Sequence, residues 1–167
     1  SVRVLTTRSS GKMGREAALE AFRRGADVTV VSNTEIHGKI PCVKNISVTS
    51  AGDMAEAVLS LPAPDYYVSA AAISDFAPVC SAEKIHSGKP VSLELKPLPK
   101  LITQMSARGS KIIGFKIGED AEEAGRRLLA EEDVILVAAN YPETMGAKTG
   151  EYILLTESAE HRVSGGK

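Results

Sequence analysis

The chain has 167 residues, 43% of them hydrophobic and 25% charged, close to an average soluble globular mixture, so one domain over 1–167 around a single core is expected. Its 20 Lys and Arg against 21 Asp and Glu leave a formal charge of −1, which provides no basic field for nucleic acid, and no apolar run approaches the roughly 18 residues of a membrane span. Cys42 and Cys80 lie far apart and no basic-then-apolar leader opens the chain, so no disulfide or zinc framework is expected and a cytoplasmic setting fits.

Aromatic content is only 4%, with no Trp, so Val, Ile, Leu and Ala must build the core, which favours strands buried on both faces. In chain order the β-rich runs are Val2-Leu5, Asp27-Ser32, Val43-Val48, Tyr66-Ala71, Lys111-Lys116, Val134-Ala138 and Tyr152-Leu155. Between them, Gly11 to Arg24 carries an apolar stripe (Met13, Ala17, Ala18, Ala21, Phe22) with Ser10 as N-cap and Gly25 as stop. Asp53-Leu61 carries a similar stripe after Ser50, and Asp120-Glu131 opens with an acidic first turn that suits the helix dipole. The alternation predicts an α/β fold: a doubly wound, mostly parallel sheet with helices on both faces. Ile73 to Pro90 breaks the rhythm and reads as a long lid loop.

Three stretches point to chemistry. Thr6 to Gly14 (TTRSSGKMG) leads into a helix start, where unpaired N–H groups favour an anion, although an ordinary capped helix start reads equally well. It is neither a Walker A loop nor a GxGxxG fingerprint, and Ser32-Asn33 lacks the acidic residue that would hold the ribose of NAD, which disfavours a dehydrogenase. Ser69 to Phe76 (SAAAISDF) puts tiny side chains at a strand end, with room for a base or sugar, and then Asp75, although from the residues alone alanines that permit close helix packing and an Asp75 that caps a turn are the stronger reading. Lys84 falls in the lid, and Lys96 to Ile102 ends a strand and opens a helix with Pro99 suited to its first turn. His37, His86 and His161 have no metal-ligand spacing, so no protein-held metal is expected. No nucleophile triad is readable, so chemistry would run by positioning and charge stabilisation.

The blocks VRVLTTRSSGKMG, RRGADVTVVS, SAAAISDFAPVCSAEKI, LKPLPKLI, IGFK and VAAN, in this order over nearly the whole chain, resemble the phosphopantothenoylcysteine synthetase (phosphopantothenate-cysteine ligase) family. The resemblance implies a Rossmann-like, homodimeric enzyme of coenzyme A biosynthesis, often fused to a flavin-dependent decarboxylase. It implies CTP as substrate, with Mg2+ carried by the triphosphate. Phosphopantothenate would be activated as an acyl-cytidylate, and L-cysteine would then displace CMP. Position by position, nucleotide contacts fall on Ser69, Ala70, Ala71, Asp75, Pro99, Lys100, Leu101, Ile102, Phe115 and Arg126, with Lys84 as the mobile catalytic lysine. Ser9, Ser10, Gly11 and Lys12 fall beside phosphopantothenate and the acyl group. Thr7 stands where the family usually has a catalytic-site Asn, so a hydroxyl offers one donor in place of an amide fork. Ala130 replaces a second basic residue, and the family's AND reads Ala138-Ala139-Asn140-Tyr141. The family's first strand would precede Ser1 and its closing helix would follow Lys167. A noncatalytic nucleotide-binding or dimerisation module of the same fold is the alternative.

Overall fold

The structure, a computed structural model, describes residues 9–79, 88, 90–131, 133–142 and 149–166. In chain order its elements are α1 (Lys12–Arg23), β1 (Thr29–Ser32), α2 (Thr34–His37), β2 (Lys44–Ser47), α3 (Ala51–Ser60), β3 (Tyr66–Ser69) and β4 (Phe76–Pro78). There follow β5 (Leu95–Pro97), α4 (Leu101–Ser106), β6 (Lys111–Ile117), α5 (Ala121–Leu129), β7 (Val134–Asn140), β8 (Thr149–Leu155) and β9 (Glu160–Gly166). Every expected strand and helix from residue 11 onward meets an element of its own type, while Val2-Leu5 lies outside the described residues.

The fold is mixed α/β around a five-stranded sheet of order β3-β6-β7-β8-β9, beside a parallel pair β1-β2 and an antiparallel pair β4-β5. This corrects the expectation of one mostly parallel sheet. β3, β6 and β7 run parallel, but β8 and β9 return antiparallel. For β9 the physical reason is connection length: Thr156 N–H donates to the Ala159 carbonyl at 2.9 Å, closing a turn far too short for the crossover that a parallel neighbour of β8 requires. β4, inside the stretch read as a lid, pairs with β5 beyond it through Phe76 and Pro97, Ala77 and Lys96, and Pro78 and Leu95. Among the described residues no helix is long and apolar enough to cross a membrane.

Local chemistry sets the helix ends. α1 starts after Gly11, whose φ of 67° is left-handed, so the helix begins one residue later than a Ser10 cap would place it, and no side chain caps it. The Ser9 hydroxyl instead accepts from Gly11 N–H at 3.3 Å. At its other end Gly25, also left-handed, donates to the Phe22 carbonyl and Ala26 donates to that of Ala21, a Schellman closure. α3 opens on a capping box between Ser50 and Asp53. The Asp53 carboxylate accepts from the Thr49 hydroxyl at 2.8 Å and from Thr49 and Ser50 N–H at 3.2 and 3.0 Å. These bonds, the Thr49 hydroxyl first, hold its carboxyl below the ordinary range.

The core lies between the sheet and helices α4 and α5. Ile112, Val137, Ala139 and Leu155 are buried against Leu101 and Met105 of α4 and Ala121 and Leu128 of α5. α5 comes this close because Gly114 and Gly125 lack side chains: a Cβ on Gly114 would stand 2.7 Å from Leu128 Cδ2, and one on Gly125 2.8 Å from Leu155 Cδ1. Buried polar groups are paired around α4. Arg108 donates to the Leu59 and Leu61 carbonyls at 3.2 and 2.6 Å, and the fully buried Ser110 hydroxyl donates to the Pro64 carbonyl at 2.7 Å.

Candidate functional site

The start of α1 and the end of β3 meet. A Cβ on Gly14 would stand 3.4 Å from the Ala70 Cβ, so the SSGKMG and SAAA blocks, more than fifty residues apart in sequence, share one seam. Ala70 is the only described contact such a Cβ would make within 4 Å. Small residues on both sides thus let the start of α1, whose first N–H groups lack intrahelical partners, come close to the end of β3 at the carboxyl ends of parallel strands. Ser9, Ser10 and Lys12 are exposed and Gly11 is half-buried.

β3 sets the far wall. Ser69 pairs in register with Gly114 of β6, which places Phe115 one residue further along the neighbouring strand. Burial raises the Tyr67 phenol above its ordinary value, an effect opposed by a side-chain hydrogen bond with Ser69. Beyond the strand the chain turns sharply, with Ile73 N–H donating to the Ala71 carbonyl at 2.9 Å. The next turn is held by Ser74, whose hydroxyl donates to the Phe76 carbonyl at 2.7 Å and accepts from Phe76 N–H at 3.2 Å. Asp75 is therefore not the residue that caps this turn. Its carboxylate is exposed and makes no hydrogen bond or ion pair among the described residues. Its carbonyl accepts from Leu98 N–H at 2.8 Å, which docks the 69–76 segment beside 96–102.

In that second segment Pro99 and Lys100 are exposed and Ile102 is half-buried, but Leu101 is 6% exposed and belongs to the core. Any ligand contact at Leu101 would have to be made by its backbone. Thr7 and Lys84 lie outside the described residues.

Arg126 is not brought to this group. Its guanidinium bonds the Glu122 and Glu160 carboxylates, and Arg162 completes a ring by pairing with the same two at 3.3 and 3.0 Å. Glu160 and Arg162 belong to β9, four strand positions from β3, roughly 19 Å at about 4.8 Å per strand. Glu160 is the main cause of the raised Arg162 guanidinium. This ring was missed in the sequence because Glu160-His161-Arg162-Val163-Ser164 has no apolar alternation to mark a strand. The other residue missed is His37. Its imidazole packs against Gly11, and the available signal was Asn33-Thr34-Glu35, an N-cap before a short helix. Among the described residues no three His, Cys, Asp or Glu side chains gather as metal ligands do.

A central sheet flanked by helices, with glycine and alanine where a strand end faces a helix start, defines a mixed α/β domain. The family follows from comparison: the model of the DNA/pantothenate metabolism flavoprotein C-terminal domain matches residues 1–165, and the chain belongs to that family. It is 37% identical over 167 aligned residues to the coenzyme A biosynthesis bifunctional protein CoaBC of Thermococcus kodakarensis, covering 92% of this chain and 41% of that protein. It is 32% identical to the CoaBC of Bacillus subtilis, covering 89% of this chain and 38% of that protein. The chain thus spans about two fifths of these relatives' length. The fold matches the DNA/pantothenate metabolism flavoprotein of Streptococcus pneumoniae (TM-score 0.80, 21% identity, 98% of this chain and 86% of that one). It also matches a crystallised CoaBC C-terminal domain (TM-score 0.74, 26% identity, 98% of this chain and 77% of that one).

Proposed function

We propose that this chain is a phosphopantothenate-cysteine ligase domain acting in coenzyme A biosynthesis with CTP as the activating nucleotide. The observation that carries the proposal is the seam itself: in a member of this family, the anion-favouring start of α1 and the small-residue end of β3 lie side by side. A solved structure with the same fold (TM-score 0.71, 17% identity, 98% of this chain and 74% of that one) is described as a Cab2 mutant in complex with phosphopantothenate-cysteine, which is the product this reading calls for.

In this reading the phosphopantothenate carboxylate attacks the α-phosphorus of CTP, forming an acyl-cytidylate and releasing pyrophosphate. The cysteine amine then attacks the acyl carbon, a proton leaves the nitrogen, and CMP departs. Magnesium arrives with the triphosphate. Ser9, Ser10, Gly11 and Lys12 bind phosphopantothenate through backbone N–H groups and the Lys12 ammonium. Ser69, Ala70 and Ala71 leave room for the base, and Asp75 accepts from its exocyclic amine or from the ribose. Pro99, Lys100, Leu101, Ile102 and Phe115 complete the nucleotide wall. Lys84 stabilises charge as the acyl-cytidylate is consumed, and Thr7 supplies a single donor near the acyl group. Arg126 reaches a phosphate only by leaving Glu122 and Glu160. The setting proposed is the cytoplasm.

The partner proposed is a second copy of the chain, with a flavin-dependent decarboxylase fused or associated. The β4–β5 arm supports the dimer: Phe76, Val79, Val91, Leu93 and Leu95 are all exposed by 41% or more, and an isolated two-stranded ribbon is marginal in water.

The test is incubation of the protein with CTP, Mg2+, 4'-phosphopantothenate and L-cysteine, followed by mass spectrometry. Equimolar phosphopantothenoylcysteine, CMP and pyrophosphate are expected, with ATP a poor replacement. CTP binding without any of these products would establish a noncatalytic nucleotide-binding module instead.

A further inference from the structure

His37 occupies the place where any residue but glycine at position 11 would carry its side chain. A Cβ there would stand 2.9 Å from both Cγ and Nδ1 of the imidazole and 3.3 Å from Cδ2. The short helix that carries the ring is held from both sides. Asn33 Oδ1 accepts from Glu35 and Ile36 N–H at 3.1 and 3.2 Å, and His37 N–H donates to the Asn33 carbonyl at 3.0 Å, which fixes α2. The Thr34 hydroxyl donates to that of Ser47 at 2.6 Å, anchoring α2 to the end of β2. From the other side, Arg15 of α1 donates to the Lys39 carbonyl at 3.3 Å, just beyond α2. His37 is half-buried in this cradle, whereas Glu35 and Ile36 beside it are exposed.

We propose that His37 is a positioning residue for phosphopantothenate binding. Its ring backs the Ser9–Lys12 turn and holds Gly11 in the left-handed conformation, which keeps the first N–H groups of α1 and Lys12 in place for an anionic substrate. The inference rests on the ligase reading for the identity of that substrate. It does not rest on that reading for the packing. No ring nitrogen is required to move a proton, so shape alone should preserve the function.

Steady-state kinetics of the wild type, His37→Ala and His37→Phe, with each substrate varied in turn and thermal melts alongside, tests the proposal. His37→Ala is expected to raise the KM for phosphopantothenate about tenfold while those for CTP and cysteine stay within about twofold. His37→Phe, which keeps a flat ring against Gly11, is expected to remain within about threefold of wild type for all three. Unchanged phosphopantothenate KM in His37→Ala, an equal rise for all three substrates, or a His37→Phe variant as impaired as His37→Ala would overturn it. A wild-type protein that forms no product would sink the ligase reading alone. The packing claim is then decided by a thermal-melt cycle of Gly11→Ala with His37→Ala. The double variant should regain part of the Tm that Gly11→Ala loses, because the ring that met the new Cβ is gone, whereas strictly additive losses would refute the claim.

Discussion

At the seam between α5 and the five-stranded sheet, the space left by Gly114 and Gly125 is taken up by Leu128, Leu155 and Val137, the nearest atoms standing 2.7 and 2.8 Å from where a Cβ would sit. At the seam between α1 and the end of β3, a Cβ on Gly14 would meet, among the described residues, only Ala70, at 3.4 Å, and the neighbouring side chains are exposed or half-buried. Glycine serves opposite ends in the two places. In the first it lets a helix press onto the sheet and closes the core; in the second it keeps side chains out of a space at the strand ends. The comparison separates positions whose substitution should cost stability from positions whose substitution should cost binding.

Breaking the closed seam should produce the largest effect. Leu155 is fully buried, so Leu155→Ala should lower unfolding free energy by about 2–5 kcal/mol, read from the urea midpoint at unchanged slope. Gly114→Ala should cost about 1–3 kcal/mol by overpacking against Leu128, with no helix-propensity gain to offset it because the residue lies in β6. If Gly114→Ala were neutral in the same titration, Leu128 would have room to retreat and the seam would be looser than described.

The outer edge of the closed seam should matter less. Arg126 is exposed and its ring with Glu122, Glu160 and Arg162 is solvated, so Arg126→Gln should lower Tm by no more than about 2 °C. A larger drop would mean that charge as well as packing ties α5 to β9.

The smallest effect is a pH dependence at the start of α3. The folded Asp53 carboxyl sits below its ordinary value, so the stabilisation it gives is complete above the unfolded carboxylate range near 4 and is lost as pH falls through the lowered folded value. Asp53→Asn should therefore flatten the acid limb of a Tm-against-pH curve below about pH 4 and leave its slope near pH 7 unchanged. An identical acid limb in the variant would show that the capping box contributes no such linkage.

The sequence revealed those elements whose apolar pattern matches a single burial environment. Ile112, Val137 and Leu155 lie in short β-branched or leucine-rich runs, and the stripe of α1 with its Gly25 stop can be read residue by residue. β9 escaped because a solvated edge strand needs no apolar alternation, and β4 escaped because its Phe76 is exposed, so neither pattern reports burial, whereas the strand end read at Lys96 falls in β5. For the candidate site, the small residues and the helix start were legible as separate blocks, but their meeting at Gly14 and Ala70 is a tertiary fact that spacing does not encode. The same holds for His37, whose partner Gly11 lies 26 positions away by number. Asp75 was ambiguous between turn cap and ligand contact until Ser74 proved to hold the turn.

The central claim is that the small residues of the α1–β3 seam make room for a substrate. Gly14→Leu tests this most directly, by calorimetric titration of CTP and of phosphopantothenate into wild type and variant, with circular dichroism confirming the fold. The account predicts a variant that keeps the wild-type spectrum and cooperative unfolding while at least one of the two substrates binds about tenfold or more weakly, because the added side chain fills substrate space. A folded variant that binds both substrates with wild-type affinity would contradict it and place the ligand elsewhere on the molecule.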